Sequence, residues 1–369
     1  LKSRLMMLSG ILPSGKITDS VKIKNITTKN RIAVPPMVMF HWSDENGFVT
    51  EKHIAHYDEI AKGHPGLVIV EATAINKNAR LHQTELGLWE DAQIEGFKKI
   101  TENFHREGVP CFIQIVNAGI NGDHDDVLCP SDMEIKRGDF VLHGHAMTQK
   151  QIDDAVRDFA ECALRAKKAG FDGVELHGCH GYLISQFYSP VANTRTDEYG
   201  KDKGKFCREV LKAVRDAVGE NFIVGIRLAA FEPDLAAGIE HAKDIASLCD
   251  FMDISYGYGD GMIATKPDDF PYKEAFYGAG EIKKVLPDMP VFAVDNVKNG
   301  DDIQGILDLT GIDMVDCGRA HLVNPNFSDD VIAGRPCGKC VNCKPACHYS
   351  PFMNDGVVDC AGRKMMARE

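Results

Sequence analysis

Short, nearly unbroken apolar runs alternate along this chain with longer stretches in which apolar residues recur every three or four positions. The runs are Arg31–Met39, Leu67–Thr73, Cys111–Val116, Gly173–His177, Phe222–Leu228, Phe251–Ser255, Pro290–Val294 and Met314–Cys317. They are rich in Val, Ile and Phe and too continuous for strands with one wet face, so they predict strands covered on both sides. Between them lie helical patterns. Ile152–Lys168 sets Ala155, Phe159, Cys162, Ala163 and Ala166 on one stripe, and Phe206–Val218 and His241–Leu248 behave alike. Glu95–Glu107 follows the second run and Asp301–Leu309 the seventh.

Strands that are nearly all followed by helices predict parallel crossovers. A closed (β/α)8 barrel and a doubly wound sheet both satisfy that pattern; eight runs in 369 residues favour the barrel. The expected class is α/β: a TIM barrel over residues 1–335 and a short C-terminal extension over 336–369, since the barrel pattern ends near Arg335 and a cysteine-rich stretch begins. The segment Asn117–Thr148 has no periodicity, contains Gly122, Gly138 and Gly144, and reads as a long loop at the active end of the barrel.

Composition narrows the function. Lys plus Arg number 42 against 54 Asp plus Glu, a net charge of −12, and no basic run interrupts the chain. That balance argues against nucleic acid and against an anionic membrane surface as partners. No apolar run reaches spanning length, and no signal-peptide pattern precedes the body of the chain, although the sequence opens at Leu1 and a short preceding stretch is expected to be missing. Of 12 cysteines, seven are scattered singly, often in apolar segments, and five lie between Cys337 and Cys360. The scattered ones suit buried free thiols in a reducing cytoplasm.

The strongest catalytic signal is His177-Gly-Cys-His180-Gly-Tyr182, directly after the fourth run. In a barrel this is the C-terminal mouth, where catalytic groups gather. Two imidazoles three residues apart on a glycine turn can aim two N–H donors at one carbonyl oxygen. A phenol two residues later, with a reference pKa near ~10, can donate a proton to a developing carbanion. Zinc held by the two histidines is a weaker reading, because no carboxylate or third His stands at helical spacing from them.

At this point the chain resembles a family. Val174-Glu-Leu-His-Gly-Cys-His-Gly-Tyr182 with the following Leu183–Pro190 and Asn193–Gly200 is similar to the fourth-strand signature of Old Yellow Enzyme-type flavin reductases. Asn30–Met37, Val70–Ala74 with Gly87–Trp89, Phe112–Gly119, Val224–Leu228, and Asp316–Arg319 with Asn324-Pro325 resemble its first, second, third, fifth and eighth units, in order. The resemblance implies FMN across the barrel mouth. Pro36, Met37, Val38 and Ala72 would line its ring system, Gln114 would bond the pyrimidine edge, and Arg227 would sit beside N1 and O2. Gly318 and Arg319 would hold the phosphate, with Asn296 nearby. A fixed guanidinium also makes independent sense, because reduced flavin carries negative charge near N1. The implied chemistry is reduction of an activated C=C bond in a small unsaturated carbonyl compound (an enone, enoate or enoyl thioester). His177 and His180 would bind the carbonyl oxygen, and Tyr182 would protonate the α-carbon.

The chain departs from that pattern in places. Val38 stands where relatives carry Thr or Cys. Asp295-Asn296 stands where relatives often have glycines: Asn tolerates positive φ, but Asp295 would repel a phosphate unless turned away. Lys201–Phe206 is shorter than the usual helix-start pattern.

The cysteine-rich stretch reads Cys337-Gly-Lys-Cys340-Val-Asn-Cys343-Lys-Pro-Ala-Cys347, then Cys360. One close run of thiols plus one distant thiol suits a four-cysteine iron–sulfur cube better than paired zinc knuckles. Cys340, Cys343, Cys347 and Cys360 are similar to the 4Fe–4S motif of the dienoyl-CoA reductase branch of the same family. Alternative spacings would use Cys337, and structural zinc stays open. That branch continues into FAD and nicotinamide domains, but no dinucleotide fingerprint appears here. The resemblance therefore implies electrons delivered through the cluster by a separate flavoprotein or a ferredoxin. Two other readings remain: an amine or N-methyl dehydrogenase, for which the 2 Trp offer no obvious cation cage, and a non-catalytic flavin or electron-transfer subunit. A homo-oligomer is compatible with all three.

Overall fold

The computed structural model describes residues 15–124, 127–137, 140–259, 261–344, 347 and 360–366. Eight strands close into a parallel barrel in sequence order: β1 (Ile32–Val34), β2 (Leu67–Ala74), β3 (Cys111–Val116), β4 (Gly173–Gly178), β5 (Ile223–Ala229), β6 (Phe251–Ser255), β7 (Val291–Val294) and β8 (Met314–Asp316). A helix follows each strand: α1 (Glu51–Ala61), α2 (Ile94–Arg106), α3 (Gln149–Lys168), α4 (Lys205–Val218), α5 (Leu235–Ile245), α6 (Glu274–Val285), α7 (Gly300–Thr310) and α8 (Gly318–Val323). This is the (β/α)8 barrel expected from the alternation.

Side-chain chemistry accounts for the elements. In α3 the buried stripe is Ile152, Ala155, Phe159, Cys162, Ala163 and Ala166, and the Thr148 hydroxyl accepts from Gln151 N–H at the N-cap. α7 starts where Asn299 accepts from Asp302 N–H and stops at Gly311, whose φ of 69° suits glycine. The bottom of the barrel interior is sealed by Ile23, Ala33, Leu67, Ile69, Phe112, Ile223, Phe251, Phe292 and Met314. Phe251 stacks on Phe112 at 5.2 Å and on Phe292 at 5.1 Å. Burying each such ring contributes roughly 1.5–3 kcal/mol, and the sealed end leaves the opposite mouth for chemistry.

Three elements differ from expectation. β1 covers only Ile32–Val34, because Pro35 and Pro36 carry no N–H to extend the ladder. α5 begins six residues before the expected His241, where Asp234 accepts from Ala237 N–H. The segment Asn117–Thr148 is not wholly loop: Val127–Cys129, Met133–Arg137 and Phe140–Ala146 form a three-stranded sheet, whose Val127 and Cys129 pack with Ile120. Of the extension, the described part holds the helix Ala361–Met366, and residues 345, 346, 348–359 and 367–369 lie outside the described residues.

α8 is short and is anchored by the fully buried His321. Its Nδ1–H donates to Cys317 O at 2.6 Å, which leaves Nε2 to accept from the Ser328 hydroxyl at 2.9 Å. Burial lowers its pKa from 6.5 to about 4. The unfolded chain therefore binds a proton more readily, so this contribution is complete above the unfolded pKa and is lost as pH falls towards the folded one. His321→Gln keeps a donor and an acceptor but does not titrate. Urea unfolding at stepped pH should show wild type losing stability relative to this variant below pH 6.5, by up to ~1.4 kcal/mol per unit. A pH-independent difference would deny His321 that role.

Candidate active site

Strand register stacks the interior in layers. Arg227 pairs with His177 across β5–β4 and with Asp253 across β5–β6, while Gln114 pairs with Glu175 across β3–β4. Alternation along each strand then sets His177 and Ser255 at the mouth above Glu175 and Asp253.

The β4 end brings the predicted trio together. The ring of His177 lies 4.5 Å from that of Tyr182 and 5.2 Å from that of His180, both edge-on. The turn is made by successive positive φ values, 57° at His180 and 73° at Gly181. A Cβ at Gly181 would sit 2.7 Å from the Tyr258 ring, so glycine permits both the conformation and the packing. His180 N–H donates to Tyr256 O at 3.2 Å, and its Nε2 lies 2.7 Å from Ser255 Oγ. Burial, then His180 and Arg227, hold His177 well below the usual imidazole range. His180 is exposed at the mouth yet ringed by protein; desolvation, then Arg227, lower its pKa too. Both rings are therefore neutral at pH 7. The half-buried Tyr182 precedes the short helix Leu183–Tyr188.

The predicted cofactor residues ring the same mouth. Pro36, Met37 and Val38 follow β1, and Ala72 falls at a register shift between Val70 and Thr73 that re-aims β2. Gly318 touches Met37: a Cβ there would meet Met37 Sδ at 2.9 Å. Gln114 is engaged from below, its Nε2 donating to Glu175 Oε1 at 2.7 Å. Arg227 is 4% exposed, and its Nε stands 3.2 Å from Asp253 Oδ2 without hydrogen-bond alignment. Asn296 adopts φ 48°, as the sequence allowed, while Asp295 is held by the Tyr256 hydroxyl, which donates to it at 2.9 Å. The shortened segment before α4 is also satisfied: Asp197 accepts from Tyr199 and Gly200 N–H, and Arg208 pairs with Asp202 and Asp244.

A separate cavity of about 130 Å³ is lined by Cys340, Cys343, Cys347 and Cys360 together with Arg319 and Leu322. Desolvation, then Cys347, Cys360 and Cys340, raise the Cys343 thiol, so the four are electrostatic neighbours. Cys337 does not line this cavity, and its thiol faces Lys298 O at 3.7 Å. Arg319 reaches Asn342 Oδ1 at 3.4 Å, so the residue expected at the phosphate also borders the cysteines.

Sequence reasoning missed Glu175, Asp253 and Asp316, all fully buried beneath this mouth. The available signal was a lone acid inside each of three apolar runs, one of them two residues before His177.

The match to known proteins follows the same layout. Residues 16–337 match the profile of the NADH:flavin oxidoreductase / NADH oxidase family. The chain belongs to this family, the Old Yellow Enzyme type. It is 34% identical over 325 residues to the NADPH dehydrogenase of Listeria monocytogenes serotype 4b (strain CLIP80459), covering 85% of this chain and 94% of that one. The Old Yellow Enzyme homologue of Zymomonas mobilis superposes with a TM-score of 0.75 at 25% identity, over 89% of this chain and 95% of that one. A 2-naphthoyl-CoA reductase, solved with 2-naphthoyl-CoA, superposes at 0.79 and 24% identity over 87% of this chain, but the chain spans only 52% of its length. As a member of this family the protein is a flavin-dependent oxidoreductase. No helix among the described residues is long and apolar enough to cross a membrane.

The mouth fits FMN. Arg227 Nε and Asn296 Oδ1 are buried polar atoms with no hydrogen-bond partner among the described residues, as the polar edges of a bound ring system would require. The four-thiol cavity likewise supplies the donor set of an iron–sulfur cube.

Proposed function

We propose that this protein is an FMN-dependent ene-reductase whose electrons arrive through a 4Fe–4S cluster in a reducing cytoplasm. The carrying observation is the meeting of the His177, His180 and Tyr182 rings at the mouth, above the buried Arg227. FMN, when bound, supplies the hydride for the β-carbon of an unsaturated carbonyl compound. Pro36, Met37, Val38 and Ala72 would line it, Gln114 and Arg227 would meet its pyrimidine edge, and Asn296, Gly318 and Arg319 would hold its phosphate end.

The protein's own groups divide the remaining work. A Ser255 hydroxyl donating to His180 Nε2 leaves the ring proton on Nδ1, and the Cys179 thiol, 3.8 Å from His177 Nδ1, favours the proton on His177 Nε2. Each neutral ring then offers one N–H to the substrate oxygen and stabilises enolate charge. Tyr182 gives its phenolic proton to the α-carbon. Cys340, Cys343, Cys347 and Cys360 would hold the cluster, with Cys337 outside it, and a separate flavoprotein or ferredoxin would supply electrons.

Anaerobic purification with flavin, iron and sulfide analysis, followed by turnover of a simple enone, tests the reading. Released FMN, stoichiometric sulfide and enone reduction are expected. Zinc in place of iron and sulfide would overturn the cluster assignment, and a flavoprotein inert towards enones but active on amines would overturn the ene-reductase assignment.

A further inference from the structure

The interior around Arg227 carries more acid than one guanidinium can balance. Glu175 on β4, Asp253 on β6 and Asp316 on β8 are each 0% exposed. Asp253 lies within hydrogen-bonding reach of both of the others. Gln114 donates to Glu175 Oε1. The other five oxygens, Glu175 Oε2 and both of Asp253 and of Asp316, find no donor among the described residues. β5 contributes Arg227 to this layer, and β7 presents only Val291–Val294, none of which titrates. At the mouth, His177 is held neutral, and burial raises the Cys179 thiol, so neither adds charge.

Three ionised carboxylates cannot satisfy one another, because none has a hydrogen to share, and their mutual repulsion in a dry interior is severe. A proton in the Glu175–Asp253 gap and another in the Asp253–Asp316 gap repair both faults. Each O–H then donates to a neighbouring carboxyl oxygen, and a single negative charge is left opposite Arg227.

We infer that Glu175, Asp253 and Asp316 form a hydrogen-bonded carboxyl chain that holds two protons in the resting protein, balances Arg227 with its one remaining charge, and takes up a third proton when the flavin site above becomes negative. The uptake step balances simply. A two-electron reductant leaves the flavin one negative charge richer after N5 is protonated; a solvent proton adds to the remaining carboxylate, and only an O–H bond forms. Burial acts in the same direction, raising the proton affinity of all three groups. The uptake step rests on the flavin reading, whereas the resting protonation does not.

Infrared spectroscopy of the FMN-loaded protein at neutral pH tests both parts. Carboxylic-acid C=O bands, shifted in D2O and diminished in Asp316→Asn and in Glu175→Gln, are expected before any reduction. Photoreduction without enone or nicotinamide should then convert carboxylate absorbance to carboxylic acid. An indicator dye should record one proton beyond the flavin's own per flavin reduced, in wild type and in Asp316→Asn alike, because each rests with one carboxylate opposite Arg227. The visible spectrum of the reduced flavin reports its own protonation separately. Should Asp316→Asn fail to fold, Glu175→Gln carries the same comparison. Absence of acid bands in wild type, bands unchanged in the folded variants, or uptake of no proton beyond the flavin's own overturns the inference, and none of these results depends on which substrate is reduced.

Discussion

Tyr182→Phe should slow reoxidation of the reduced protein by an enone by roughly 10²–10⁴-fold, the usual contribution of a single positioned proton donor, while flavin reduction proceeds as in wild type. Phe keeps the ring that packs edge-on against His177 at 4.5 Å, so the turn and the helix Leu183–Tyr188 survive the change. Only the proton is lost. Stopped-flow spectroscopy separates the two half-reactions, and an unchanged oxidative half-reaction would assign the proton to water or to another acid. The imidazoles should fail differently. Replacing His177 or His180 by Asn should weaken binding of carbonyl ligands to the oxidised protein, because an N–H aimed at the oxygen acts before any proton moves. Since both rings are neutral well below pH 7, that binding should not fall as pH rises from 6 to 8.

The readable and unreadable parts of this molecule have different physical origins. All eight barrel strands were legible because strands buried on both faces must be apolar throughout, and that pattern is local. β1 was over-extended because Pro35 and Pro36 are as apolar as strand residues but cannot join a ladder. The sheet of Val127–Cys129, Met133–Arg137 and Phe140–Ala146 was hidden because its strands are short, its apolar residues keep no sustained period, and it buries only a small cluster. In the site, His177, His180 and Tyr182 stood out because one turn supplies all three. Glu175, Asp253 and Asp316 lie 78 and 63 residues apart, and only barrel closure brings them under one arginine. Each alone looks like an oddity in a strand.

The cysteine cavity leads to the second large effect: Cys343→Ser should abolish flavin reduction by a one-electron donor such as a reduced ferredoxin, and should strip iron and sulfide from the protein. The geometry favours a short route. Cys360 packs with Met37 against the layer formed by Met39, Trp42 and Leu322, and Leu322 and Arg319 line the cavity. Met37 also lies against Gly318, so the cavity and the proposed flavin site would share one wall. A cluster there would take electrons singly and pass them to a flavin that stores two. The competing arrangement uses the cysteines only to staple the C-terminal helix, with a nicotinamide reducing FMN directly at the open mouth. Mixing the purified protein with NADPH and with NADH decides between them. Slow flavin reduction by both nicotinamides, alongside rapid reduction by the one-electron donor that disappears in Cys343→Ser, is expected. Nicotinamide reduction at the rate of turnover, undiminished in Cys343→Ser, would leave the cluster with no part in electron supply. The net charge of −12 sharpens the expectation for the donor. An acidic ferredoxin must approach Arg319, which lines the cavity, and Lys339 and Lys344, which flank its cysteines in sequence, so its reaction should weaken as ionic strength rises.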